Sequence, residues 1–285
     1  MSLKIIESPR DGIQGLKKFI PTKIKADYIN SILKIGFDEI DIGSFVSQKA
    51  IPQLSDTTEV IKLLDFVNSI SKLLVLVANK KGGEEASEFD EINSLIFPFS
   101  ISPTFLKYNI NSNFSNSFKT IYELKNICEK RKKNLIIYIA MAFGNPYGDP
   151  WNIDIIFEWA EKLNNIGIKI IPFSDILGNS TPSRIQEVFS SVIKEFPEIE
   201  FGFHLHSKPD DWIEKIESAY ESGCRRFDTV IGGLGGCPMT GKELLGNLNT
   251  LNFINFLNKK NIPHNINLAI LQDAVEKSKT IINYE

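Results

Sequence analysis

Two of the chain's three histidines stand one residue apart, His204 and His206, in the stretch GFHLHS. Residues i and i+2 of a strand point to one face, so a strand here would carry two imidazoles side by side. Neutral imidazole is a common metal ligand, and such a pair is a natural part of a divalent-metal site. The plainer alternative is two rim histidines bonded to their neighbours. Asp11, in SPRDG, and Asp41, in EIDIG, stand at or just beyond the ends of apolar runs, as does Asp175 in FSD. Carboxylates gathered near the histidines favour the metal reading. Mixed nitrogen and oxygen ligation suits Mg2+, Mn2+ or Zn2+, and spacing does not choose among them.

The other concentration of chemistry is GGLGGCPMTGKE, 232–243. Gly236 to Lys242 reads GxxxxGK, close to a phosphate-binding loop, but Glu243 stands where that motif needs Ser or Thr to hold Mg2+. Pro238 also removes a backbone N–H donor. A mobile glycine-rich loop that carries Cys237 over an active site suits the pattern better. Cys224 follows a helix-ending glycine and Cys128 lies inside a helical pattern, so both read as core thiols.

Bringing these groups together takes a scaffold that ends several strands at one rim. Strand-like runs recur at 3–8, 37–43, 73–78, 94–100, 135–142, 168–175, 201–207 and 226–233. Helix-like stretches alternate with them at 22–35, 57–70, 82–91, 115–132, 152–166, 181–195, 209–222 and 246–260. Apolar residues in these stretches recur at three-and-four spacing, as in Ile153, Ile156, Phe157, Ala160 and Leu163. Thr22, Ser180 and Thr250 stand near helix starts as candidate caps. Eight alternating units predict an α/β fold, a TIM (β/α)8 barrel, with 261–285 as a short C-terminal helical extension. No linker or change of composition interrupts the chain, so 1–285 reads as one catalytic domain. An open doubly wound sheet is the competing architecture, but ESPRDGIQG lacks its GxGxxG fingerprint. Barrel chemistry gathers at the C-terminal strand ends. Arg10, Asp11, Asp41, Asp175, His204 and His206 all fall there.

A formal net charge of -3 over 285 residues offers no basic field for nucleic acid. No apolar run is long enough to cross a bilayer and no N-terminal targeting pattern is evident, so no membrane partner is expected and the expected location is cytoplasmic. Three cysteines without CxxC spacing argue against a disulfide framework and against a structural zinc site.

Taken together and in order, SPRDGIQ, GSFVSQKAIPQLSDTTEV, FHLHS and GGLGGCP with the later Gly246-Asn247 make the chain resemble the 3-hydroxy-3-methylglutaryl-CoA (HMG-CoA) lyases. These belong to the metal-dependent lyases and acyl-CoA-condensing synthases that share a TIM barrel. FVSQKAIPQLSD and GGLGGCP look specific to the lyases, whereas RDG and HxH are shared with the synthases. The resemblance implies a divalent ion, Mg2+ or Mn2+, held by Asp11, His204, His206 and Asn247. It implies Arg10 facing the thioester oxygen, Cys237 as an acid/base on a closing loop, and Lys17 near the substrate. His204 and Asp41 join Arg10 and Cys237 in the expected catalytic group.

The lyases carry Glu where this chain has Asp41. Two roles stay open for that residue: a base for the substrate hydroxyl, or a partner that orients a metal-bound histidine. The implied partner is a small-molecule acyl-CoA, and a homodimer is the family expectation. The implied reaction is carbon–carbon cleavage of HMG-CoA to acetyl-CoA and acetoacetate. A condensing synthase or aldolase acting on a 2-oxo acid competes with it, but such synthases usually carry a further domain, for which 285 residues leave little room. A non-enzymatic binding barrel is the third reading. The intact set Arg10, Asp11, His204, His206 and Cys237 speaks against it.

Overall fold

The structure is a computed structural model that describes residues 2–67, 69–236 and 245–282. From β1 (Lys4–Glu7) the chain turns into a short helix α1 (Pro9–Ile13), and α2 (Thr22–Ile32) returns it to β2 (Glu39–Ser44). Next come α3 (Thr57–Ile61), β3 (Lys72–Leu76), α4 (Lys80–Ser87) and β4 (Ile92–Ser100). Two helices, α5 (Pro103–Ile110) and α6 (Phe114–Arg131), precede β5 (Asn134–Ala140). The alternation continues through α7 (Ile153–Asn165), β6 (Ile170–Asp175), α8 (Pro182–Glu195), β7 (Glu200–Leu205), α9 (Trp212–Glu221) and β8 (Arg226–Thr229). The last two helices are α10 (Thr250–Lys259) and α11 (Leu268–Ile282). Each strand pairs in parallel with the next, and β8 pairs back with β1. This is the TIM barrel the alternation predicts, with α11 as the C-terminal helix. Among the described residues no helix is long and apolar enough to cross a membrane.

The side-chain alternation of the strands sorts the core into two regions. Outward residues such as Ile5, Ile40, Phe97, Ile137, Phe173 and Phe203 pack under the helices in one large apolar cluster. Ile6, Leu74, Leu76, Ile96 and Ile136 fill the barrel interior. At the N-terminal end of that interior the filling is ionic. Arg226 donates to Glu39 at 2.5 Å and to Glu200 at 2.9 Å, and Lys4 reaches Glu200 at 2.5 Å. Gly202 makes room for this, since a Cβ there would lie 2.9 Å from the Arg226 stem.

Several stretches depart from the sequence pattern. The helix expected over 57–70 stops at Ile61. Asn30 on α2 binds the Leu63 carbonyl at 3.0 Å and the Asp65 N–H at 2.8 Å, and the Asp65 carboxylate takes the Val67 N–H. These side-chain bonds compete with the helix ladder. Helix α5 was not expected, although Ser102 before Pro103 is a start signal: Ser102 Oγ accepts the Phe105 N–H. Caps shift by one residue, with Thr181 capping α8 and Asn249 capping α10.

Candidate active site

β1 runs straight into α1, whose first residue is Pro9, where a missing N–H is no loss. All of α1 is buried, and it places Arg10 and Asp11 over the C-terminal mouth of the barrel. Arg10 Nε and Nη2 both donate to Asp41 Oδ2, at 2.9 and 2.5 Å. Nη1 donates to Asp11 Oδ1 at 2.9 Å and to Gln14 Oε1 at 3.1 Å. Gln14 in turn donates to Asp11 Oδ1 at 2.6 Å. A guanidinium has about five N–H groups, so one on Nη2 remains for another acceptor. Asp41 sits where the β2–β3 register shifts, the kind of irregularity that re-aims a side chain. Its Oδ1 is buried with no partner among the described residues.

His204 lies on the inner face of β7. The strand stops at Leu205, so His206 is not a strand residue as the pattern suggested; it forms an antiparallel bridge with Asn247 instead. The two imidazoles still converge, with Nε2 atoms 3.0 Å apart. Each far nitrogen has its own acceptor. His204 Nδ1 donates to Asp228 Oδ2 at 3.0 Å, and His206 Nδ1 donates to the Leu245 carbonyl at 3.1 Å. Asp11 Oδ2 is 3.9 Å from both Nε2 atoms. Asn247 Nδ2 donates to that same oxygen at 2.7 Å and to the Leu234 carbonyl at 2.8 Å, which leaves its Oδ1 as the atom able to bind a cation.

This donor set fits a divalent ion. With protons fixed on both Nδ1 atoms, the Nε2 lone pairs face each other and repel unless a cation or a proton lies between them. A separation near 3.0 Å is also what two nitrogens ~2.1 Å from one ion show when they subtend a right angle. The ligand atoms of Asp11, His204 and His206 all fall within 4.8 Å of one another.

The charges around this point are unequal. Burial opposes ionisation of Asp11, but Arg10, His204 and His206 override it and hold its pKa at about 2. For Asp41 burial wins over the pull of Arg10 and lifts the pKa to about 6. Burial, and then His204, push His206 down to about 4. Burial also works against charge on His204, yet the bond to Asp228 raises it above the ordinary imidazole value. The site thus holds one firmly ionised carboxylate, one carboxylate poised near neutrality and one imidazole kept neutral.

The HMGL-like family model matches residues 3–277. The chain belongs to the HMGL-like family. A hydroxymethylglutaryl-CoA lyase of Bacillus subtilis is 30% identical over 268 residues, 94% of this chain and 89% of that protein. The cytoplasmic 3-hydroxy-3-methylglutaryl-CoA lyase of Homo sapiens is 30% identical over 275 residues, 95% of this chain and 73% of that protein. Among solved structures, an HMG-CoA lyase from Acinetobacter baumannii in complex with coenzyme A and 3-methylmalate aligns with a TM-score of 0.91 at 30% identity. The alignment covers 99% of this chain and 92% of that one.

In this HMGL-like barrel Arg10, Asp11, Asp41, His204, His206 and Asn247 come together at one mouth. Asp41 does not touch a histidine, as one of its two expected roles required; Asp228 holds that place, and Asp41 holds Arg10. Lys17 is exposed after α1 and takes no part in these contacts among the described residues. The IPQLSD motif fixes the segment around it: Gln53 accepts the Ile20 N–H at 2.8 Å and donates to the Lys18 and Leu16 carbonyls at 2.8 and 3.2 Å. Asp175 binds the backbone and hydroxyl of Ser180, closing the turn after β6. Cys128 and Cys224 are buried, as their settings suggested. Cys237 and most of the phosphate-loop-like stretch lie outside the described residues. Sequence reasoning missed Asp228 and Gln14. The signal for Asp228 was present, because two residues after inward Arg226 a strand residue again faces inward, beside β7.

Proposed function

We propose that this chain cleaves the C2–C3 bond of HMG-CoA to give acetyl-CoA and acetoacetate, a metal-dependent carbon–carbon lyase reaction. The observation that carries this reading is the convergence of Asp11 with two histidine Nε2 atoms beside the Arg10–Asp41 pair, in a barrel of this family. A divalent ion, Mg2+ or Mn2+, bound through Asp11, His204, His206 and Asn247 would supply a Lewis acid that orients a 3-hydroxy group and lowers its pKa.

The chain's own residues do the rest. Asp41 Oδ1 accepts the hydroxyl proton, and a pKa raised by burial to about 6 suits a base that works near neutrality. As the hydroxyl oxygen becomes a carbonyl, the electrons of the C2–C3 bond pass into the thioester and leave an enolate. The remaining Arg10 N–H donates to the enolate oxygen, and the bonds to Asp41 and Asp11 hold the guanidinium rigid for that task. Cys237, placed in the GGLGGCP stretch, is the proposed acid for the enolate carbon. The A. baumannii relative in complex with coenzyme A supports an acyl-CoA as the substrate class.

The test is acetoacetate release from HMG-CoA with Mg2+ or Mn2+, run beside CoA release from acetyl-CoA plus 2-oxo acids. Acetoacetate release that stops under EDTA and returns with metal is the expected result. CoA release from the 2-oxo acid mixtures alone would replace the lyase with a condensing synthase.

A further inference from the structure

Glu7 ends β1 and is wholly buried, yet it takes no part in the chemistry above. Its neighbour Ile6 packs in the barrel interior, so Glu7 points outward, beneath the chain that follows β8. Three groups close on its carboxyl. The Ile231 N–H donates to Oε1 at 2.7 Å, and the hydroxyls of Thr250 and Thr229 reach Oε2 at 2.6 and 3.1 Å. Thr229 and Ile231 stand where the chain leaves β8, and Thr250 opens α10, where it returns. The same two limbs pair directly: Val230 N–H donates to the Leu248 carbonyl at 2.9 Å, and Thr250 N–H to the Val230 carbonyl at 3.2 Å. The returning limb carries Asn247, bonded to Asp11, and the Leu245 carbonyl, bonded to His206.

We propose that Glu7 is a positioning residue for the metal site. By clamping Thr229, Ile231 and Thr250 it fixes the returning limb, and so holds the Asn247 side chain and the Leu245 carbonyl against Asp11 and His206. This rests on the metal-dependent reading above.

The bond pattern is satisfied by a neutral carboxyl. Oε1 accepts from Ile231, and the acid O–H donates to Thr229 Oγ1, whose own proton goes to the Ile6 carbonyl at 3.2 Å. Thr250 still donates to Oε2. Burial pushes the Glu7 pKa up to about 8, against the bonds from Thr250, Ile231 and Thr229, so the neutral form prevails at neutral pH. A glutamine amide can keep the three contacts, its oxygen accepting from the Ile231 N–H and its NH2 donating to the Thr229 and Thr250 hydroxyls, with the Thr250 bond reversed. A leucine keeps the volume and loses all three, leaving the Ile231 N–H unpaired in the interior.

The experiment measures Mn2+ binding to the full chain by titration calorimetry, with amide hydrogen exchange followed at residues 229–236 and 245–250. Wild type and Glu7→Gln are expected to bind Mn2+ within about threefold of each other, and Glu7→Leu about tenfold more weakly or worse, the scale seen when groups supporting a metal site are lost. Exchange at the Ile231 and Thr250 amides should speed up in Glu7→Leu and stay at the wild-type rate in Glu7→Gln. Thr250→Val, which removes one of the three contacts, should show a smaller loss in the same direction, and it carries the test if Glu7→Leu does not fold. Wild-type affinity and exchange in the folded Glu7→Leu or Thr250→Val protein would overturn the proposal. So would a Glu7→Gln protein as impaired as Glu7→Leu. Wild-type protein that binds no Mn2+ would sink the metal reading instead, and the clamp would then stand or fall on exchange at Ile231 and Thr250.

Discussion

Asp41 presents two oxygens with different duties. Oδ2 takes two N–H bonds from Arg10, while Oδ1 is buried without a partner. In Asp41→Asn an amide replaces the carboxylate proposed to take the hydroxyl proton. We expect kcat to fall by about 100-fold or more, the usual scale for losing a general base. The acidic limb of kcat/KM, which should lie at or below about 6 in the wild type, should vanish. A slow variant that keeps the limb would reduce Asp41 to a holder of Arg10. Asp228 makes the complementary case. It binds His204 Nδ1, which fixes the tautomer that turns Nε2 toward Asp11 and His206. Asp228→Asn keeps an acceptor but removes the charge behind the ring, so Mn2+ affinity should weaken by about 10- to 100-fold in calorimetry. Unchanged affinity would remove Asp228 from the support of the metal.

The limb after β8 is the element that completes this site, and a glycine decides how closely it approaches. Gly235 has φ +90, and a Cβ there would lie 2.6 Å from the Asp11 carbonyl and 2.9 Å from Asn247 Nδ2. Gly232, three residues earlier, also has a positive φ of +80, but its Cβ would meet only Leu234 side-chain atoms, the nearest at 3.4 Å. Both alanine variants carry the left-handed strain, about 1–2 kcal/mol. Gly235→Ala alone presses on the Asp11 and Asn247 side of the site. We expect it to lose about tenfold or more in Mn2+ affinity while Gly232→Ala stays near wild type; equal behaviour of the two would mean the close approach does not matter. The elements themselves were legible where local pattern and tertiary need agree. Each strand's apolar run is cut off by polar or glycine residues, which is why eight strands could be read in order. The helix expected over 57–70 was misjudged because Asn30, far away in sequence, captures the backbone of Leu63 and Asp65. For the same reason the strand ends pointed to Arg10, Asp11 and His204, but not to Asp228, Gln14 or the Leu245 carbonyl. Those partners are set by contacts between strands and limbs, which no single-strand pattern records.

Over the whole molecule, buried ionisable groups make stability depend on pH, and Glu7 sets a defined part of that dependence. Its carboxyl titrates near 4.5 when unfolded and at about 8 in the fold, with burial as the cause. Between those values the folded state holds a proton that the unfolded chain has lost. Stability from this group is therefore full below 4.5 and declines as pH rises through about 8. Integrated from about pH 6.5 to 8.5, the loss is about 2 kcal/mol. Other groups contribute to the total slope. His204, raised above its ordinary value, acts in the same direction. Asp11, held at about 2, gives stability that is present above 3.8 and disappears only in acid, below this window. Tyr28 on α2, which faces Glu7, is itself raised by burial and by that carboxylate, so it stays neutral across the window. A comparison within one background removes these shared terms. Urea unfolding of metal-free wild type and Glu7→Gln at both ends of the window should show the wild type losing more stability, by about 2 kcal/mol, because the amide has no proton to release. Parallel slopes for the two proteins would mean that Glu7 is already ionised in the fold at neutral pH. The three groups around it would then act as donors to a buried carboxylate.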